Sequence, residues 1–149
     1  MDLTREYLLW QLGALKRSAI IELLDEHIGQ ISIPTDEMID LSLSASVDEY
    51  EFAHRMIPFV NPAMLTREAI LPLLIEVVRK TPPEGAERLL AGMDDYVHQE
   101  WPHGINHPTG RLYYPLQHLL HDIADGFATP SDITRLFDDW LKTHAPEAT

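Results

Sequence analysis

Apolar residues recur along this chain at three- and four-residue intervals, and prolines and glycines cut the pattern into short segments. Between Thr4 and His27 there are two such stripes. Leu8, Leu12, Leu15 and Ala19 form one; Ile21, Leu24 and Ile28 continue another begun by Leu3, Tyr7 and Trp10. The pair fits one long helix buried on two sides, or two helices meeting between Gly13 and Ser18, with Gly29 placed to end the segment. Ile31-Ser32-Ile33 alternates but is too short to argue for a sheet. Pro34-Thr35-Asp36-Glu37 reads as a helix start, with Thr35 as cap and the acids at the positive end of the helix dipole. Met38, Ile39 and Leu41 supply its apolar face.

Ser46 and Glu49 have the spacing of a capping box. The helix behind them carries Tyr50, Ala53, Met56 and Ile57, and Pro58 and Pro62 stop it. Thr66-Arg67-Glu68 opens the next, with Ile70, Leu73, Leu74 and Val77 inside and Pro72 expected to kink it or delay its start. Beyond Pro82-Pro83, Ala86, Leu89, Leu90, Met93 and Val97 form a clean helical stripe. Trp101 to Gly110 reads as the one substantial loop. A helix from about Arg111 to Gly126 follows, with Leu112, Leu116, Leu119, Leu120 and Ile123 on one face. Thr129-Pro130-Ser131-Asp132 opens a last helix with Ile133, Leu136, Phe137 and Trp140. The pattern therefore predicts an all-α fold: one domain over residues 1–143, of six to eight short helices, and a frayed tail over 144–149. The short connections favour antiparallel or steeply crossed neighbours.

Composition supports one packed core, since 149 residues with 45% hydrophobic content suit a single globular domain. Charge changes the picture more. Twenty-four Asp and Glu face eleven Lys and Arg, a net charge of −13. Such a field repels phosphate backbones, and the scattered basic residues form no patch to offset it, so nucleic acid is not an expected partner. An acidic surface instead steers encounter with basic proteins. There is no cysteine, which removes disulfides, thiolate metal sites and a cysteine nucleophile and fits a reducing, cytoplasmic compartment. No leader-like N-terminus and no apolar run of membrane-spanning length is visible, so no membrane association is expected.

Candidate chemistry concentrates late in the chain, where five of the eight histidines lie between His98 and His121. On a helix, Tyr114, His118, His121, Asp122 and Asp125 share the face opposite the leucine stripe. His118 and Asp122 are four residues apart, as are His121 and Asp125. Imidazole and carboxylate on adjacent turns can share a divalent metal or pair by hydrogen bonding, and a polar face opposite a leucine stripe is also what a solvated surface helix presents. His121-Asp122 resembles the His-Asp pair of the all-helical HD-type metal phosphohydrolases. That resemblance implies an upstream histidine, for which His98 stands, and a downstream aspartate, for which Asp138 or Asp139 stands. The sequence contains no Gly-x-Ser-x-Gly elbow and no glycine-rich phosphate loop, and no cofactor is expected.

The loop Trp101-Pro102-His103-Gly104-Ile105-Asn106-His107-Pro108 offers a different chemistry. A tryptophan and two histidines, preceded by Asp94, Asp95 and Glu100, combine an aromatic anchor with acids suited to an Arg- or Lys-rich partner. Asp94, Asp95, Glu100, Trp101, His103 and His107 are thus the candidate partner-binding residues, unless Trp101 and Ile105 simply plug the core. A small, acidic, cysteine-free, all-helical chain without a catalytic motif resembles, in general character, the immunity proteins of bacterial polymorphic toxin systems. The resemblance implies direct binding to a basic cognate toxin. The alternatives are a metal-dependent hydrolase or metal-binding protein built on the His98–Asp125 cluster, and a regulatory or adaptor helical domain.

Overall fold

A computed structural model describes residues 1–99 and 102–145, with the backbone alone for His103. Among them the chain forms eight α-helices and no strand. These are α1 (Thr4–Gln11), α2 (Arg17–Ile28), α3 (Asp36–Ser42), α4 (Glu49–Met56), α5 (Arg67–Lys80), α6 (Ala86–Val97), α7 (Pro108–Ala124) and α8 (Pro130–His144). Short 3-10 turns at Ile57–Phe59, Pro62–Met64, Pro83–Gly85 and His103–Asn106 fill several of the connections.

The first segment is two helices. Gly13, at φ +80°, takes a conformation that costs a side-chain-bearing residue strain, and the chain turns there. Along α1 the two stripes part company, whereas Leu15 of the first packs with the second core. Leu8 and Leu12 join one core with Ile70, Leu74, Val77, Leu89, Met93, Leu112, Leu116, Ile133, Phe137 and Trp140, drawn from α5 to α8. Leu3, Tyr7 and Trp10 join a second core with Ile20, Leu24, Leu41, Phe52, Met56 and Phe59, drawn from α2 to α4 and the turn after them. Helix α1 is thus a shared wall. It lies so close to α6 that a Cβ on Gly92 would fall 2.0 Å from the carbonyl oxygen of Gln11, so only glycine fits that crossing.

Helix starts follow capping chemistry, in two places later or earlier than the pattern predicts. Thr35 and Thr66 cap α3 and α5 by accepting from the amides of Met38 and Ala69. Thr129 and Asp132 form a capping box on α8. Ser46 does not cap α4. Asp48 does, its Oδ1 accepting the Glu51 amide at 2.7 Å. The reason lies in Arg17, which donates to the carbonyls of Ser44 and Val47 and stacks over Phe52, holding residues 44–47 as a turn.

The expected loop from Trp101 to Gly110 is shorter than predicted. A 3-10 turn occupies His103–Asn106, and α7 begins at Pro108, where a proline suits the first helical position. Helix α5 runs through Pro72 without a break. At the C-terminus α8 includes His144, whose ring packs on Trp140 at 5.4 Å, and Ala145 is buried. Residues 146–149, the rest of the expected tail, lie outside the described residues.

Candidate functional site

Asp94 and Asp95, adjacent in sequence, face different seams. Near the end of α6, Asp94 accepts a 2.5 Å hydrogen bond from the Tyr113 hydroxyl on α7 and lies 3.4 Å from His98 Nε2. His98 Nδ1 is 3.2 Å from the Tyr114 hydroxyl, and its ring meets Tyr113 edge-on with centroids 5.5 Å apart. Burial, then the bond to Asp94 and its charge, push the Tyr113 phenol up to about 12. The hydroxyl therefore stays protonated and donates throughout the physiological range. Asp95 instead adds to the field at Tyr7 and Tyr96, whose phenols are raised first by burial. Those two tyrosines bracket Gln11: Tyr96 donates to its side-chain oxygen and its amide donates to Tyr7 at 3.0 Å. Asp94 thus joins α6 to α7, and Asp95 borders the crossing of α1 and α6.

His107 is occupied structurally. Its Nδ1 accepts the Thr109 amide at 3.2 Å and caps α7. Glu100, Trp101 and the side chain of His103 lie outside the described residues. What anchors this corner is a residue the sequence pattern did not single out. Arg67, buried at the start of α5, donates to the carbonyl of Gln99, and its amide donates to Gln99 Oε1 at 3.1 Å. Nothing in the sequence distinguishes it from the other basic residues.

The histidine face of α7 forms as periodicity predicts. His118 Nε2 lies 3.5 Å from Asp122, and His121 Nε2 lies 3.4 Å from Asp125, with both histidine side chains more than three-quarters exposed. Tyr114, His118 and His121 line an open groove between α6 and α7 together with Glu87 and Leu90. These contacts are pairwise. Among the described residues no three His, Asp or Glu side chains converge as metal ligands. His98 is engaged with Asp94 and Tyr114, away from the His121-Asp122 pair it would join in an HD-type centre, and Asp138 and Asp139 stand exposed on α8.

Comparison with protein-family models, with curated proteins and with solved structures returns no match for this chain. Function has to be argued from its own surfaces. Among the described residues no helix is long and apolar enough to cross a membrane.

One surface lies outside the residues that the sequence pattern put forward. Between Arg17 and Arg55 the chain carries nine Asp and Glu and no Lys or Arg. The same stretch holds Leu23, Ile33, Ile39, Leu43 and Tyr50, all exposed. On α4 the mismatch is sharpest. Phe52 and Met56 are fully buried, whereas Tyr50 and Ile57 are 82% and 51% exposed. Tyr50 and His54 on α4 and Ile57, its C-cap, at spacings of four and three, share one outward face, opposite Phe52. Beside them a groove of about 260 Å³ between α3 and α4 is lined by Glu37, Asp40, Glu51, His54, Arg55 and Pro58. The signal that could have found this face is the acidic run itself, together with a helix apolar on two sides.

Proposed function

We propose that this chain is an acidic protein-binding module which acts by direct contact with a basic protein, as an immunity-type inhibitor does when it neutralises its cognate toxin in the cytoplasm. The observation that carries this reading is the coincidence, on α2 to α4, of nine acids in a stretch without Lys or Arg with large apolar side chains left in solvent. Each half has a separate role in association. Acids accelerate encounter with a basic surface and suppress acidic competitors. Exposed apolar and aromatic groups supply the desolvated contacts that slow dissociation. Either feature by itself is ordinary; acids serve solubility and isolated exposed apolar residues are common.

Co-expression tests the proposal. The chain is produced together with the product of its neighbouring gene, and growth, complex formation and association rate are measured. The expected result is relief of toxicity, a stable complex on size exclusion, and association that slows as salt is added. Growth unaffected by the chain and no complex at low salt would overturn the immunity-type reading. Association indifferent to salt would remove the role assigned to the acids.

A further inference from the structure

We infer that the outward stripe of α4, Tyr50–His54–Ile57, together with the adjoining α3–α4 groove, is the contact surface for a basic protein segment that presents an apolar side chain beside an arginine or lysine. The inference rests on the protein-binding reading above and gives it a place and a chemistry.

The apolar half of the argument is the helix itself. An eight-residue helix has few positions to bury, and α4 commits Phe52 and Met56 to the core. Tyr50 and Ile57 project from the opposite side and contribute little to that core. Tyrosine is well suited to the exposed position, since it offers a large rigid surface, a polar tip and little rotamer entropy to lose.

The charged half is the groove. Within it Arg55 is held by its own chain: Nε meets Glu51 at 3.0 Å, and Nη1 donates to the Asp40 carbonyl at 2.9 Å and to Ser44 Oγ at 3.1 Å. Glu37 and the Asp40 carboxylate have no ion-pair partner among the described residues, and no Lys or Arg lies between Arg17 and Arg55 to provide one. The histidine face of α7 differs on this point, because Asp122 and Asp125 each have a histidine within 3.5 Å. A cation arriving at the α3–α4 groove thus meets two carboxylates that nothing internal satisfies, beside an apolar stripe on His54's own helix. A second copy of this chain is the wrong occupant, because it would bring its own acids and a net charge of −13 against the same face.

The test uses the full chain, labelled for amide NMR, and two synthetic helical peptides of equal positive charge. One alternates leucine and lysine at helical period; the other replaces leucine with serine and glutamine. The leucine–lysine peptide is expected to shift amides across residues 37–58 and to bind at least tenfold more tightly than its polar counterpart. Tyr50→Ser and Ile57→Ser should each weaken it by about tenfold, the size of one lost hot-spot contact. Glu37→Gln with Asp40→Asn should weaken both peptides and flatten the salt dependence. Reversal of Asp138 and Asp139 to lysine on α8 is the control and should change affinity less than threefold. Melting curves check that each variant is folded. Shifts centred on α6 and α7 would overturn the placement and leave the protein-binding reading standing. No shift with either peptide at low salt would overturn both. Sedimentation showing a dimer of the free chain that Tyr50→Ser dissociates would give the face to a second copy instead.

Discussion

The two cores of this protein, joined by α1, solve the same packing problem differently. The core built on α5 to α8 is largely aliphatic, its helices run for 12 to 17 residues, and its large apolar side chains go inside. The core built on α2 to α4 is centred on aromatic rings, with Trp10 meeting Phe52 edge-on at 4.9 Å, and α3 and α4 have only seven and eight residues. Helices that short do not hold together unaided and depend on what they bury. Yet ten large apolar side chains stand exposed among the described residues, and eight of these lie in residues 1–64. The lobe with least helix to spare is the one that leaves apolar surface in water. Folding does not require that surface, which is why it is the better place to look for a partner.

The comparison breaks most severely at Phe52, the aromatic centre of the smaller core. Phe52→Ala should cost about 3–5 kcal/mol, the range for emptying a fully buried aromatic site. Because α1 carries Leu8 and Leu12 into one core and Tyr7 and Trp10 into the other, the loss should be felt by both. Hydrogen exchange should therefore show amide protection falling together in α2 and α5. Protection lost from α2 to α4 while α5 to α8 stay intact would show two independent folding units.

Gly92 attacks the shared wall from the other side. In Gly92→Ala the new Cβ meets backbone of α1, which cannot swing away as a flexible side chain could. The expected cost is about 3 kcal/mol, at the upper end of ordinary overpacking. Urea unfolding measures it. A loss under about 0.5 kcal/mol, the scatter of ordinary surface changes, would mean that α1 slides easily and the two cores are loosely coupled.

His107 caps α7, a helix of the larger core, and should act modestly and through pH. Burial first, then the nearby Arg67 charge, hold its pKa below the ordinary 6.5. His144 is lowered in the same way, by burial and then by Arg111. As pH falls, the unfolded chain takes up these protons before the folded one. Stability is therefore full above about pH 6.5 and declines as pH drops through the folded values. Protonation also removes the Nδ1 lone pair that caps α7. His107→Ala should cost about 1 kcal/mol at neutral pH, the usual worth of a cap. His107→Asn retains an acceptor and should flatten the acid limb of a melting-temperature profile. A steeper acid limb in the asparagine variant would reverse the sign assigned to this residue.

Much of this comparison was written in the sequence. The separation of Leu8 and Leu12 from Leu3, Tyr7 and Trp10 is the division into two cores, because a helix whose apolar residues occupy two faces must pack on two sides; Leu15, read with Leu8 and Leu12, packs instead on the smaller core, where Ile20, in neither stripe, is also buried. Long helices with one stripe, α6 and α8 above all, were legible for the same reason. What periodicity could not resolve was α4. Tyr50, Ala53, Met56 and Ile57 read as one apolar set, while Phe52 and Met56 are the pair inside; in eight residues two apolar faces have nearly equal claims, and tertiary contact chooses. The cap moved from Ser46 to Asp48 because Arg17, nearly thirty residues earlier, holds the intervening turn, and no local spacing reports that. The histidine pairs on α7 were legible in geometry, since four-residue spacing fixes them. That they gather no third ligand among the described residues was not, because it depends on where other elements place their own acids. Asp94 and His107, singled out as recognition residues, also serve within the fold as a joint and a cap. A polar side chain beside a loop looks the same in sequence whether it faces a partner or its own backbone.

The smallest expected effect is the most discriminating. Tyr50→Ser should leave the unfolding free energy within about 0.5 kcal/mol of the parent, as surface substitutions usually do, and the half-buried Ile57→Ser within about 1 kcal/mol. Helix propensity hardly separates serine from tyrosine, and Tyr50 is 82% exposed, so neither propensity nor burial gives the native ring much to lose. Phe52→Ala on the same helix should cost several kcal/mol by contrast. Two aromatic residues only two positions apart would then differ about tenfold in their weight for folding. If Tyr50→Ser instead destabilises the chain by 2 kcal/mol or more, its ring is covering the smaller core, and the excess apolar surface of that lobe is a cost of short helices rather than a place for a partner. If stability holds, the energy that Tyr50 withholds from folding is still available for binding, and the outward face of α4 keeps its claim.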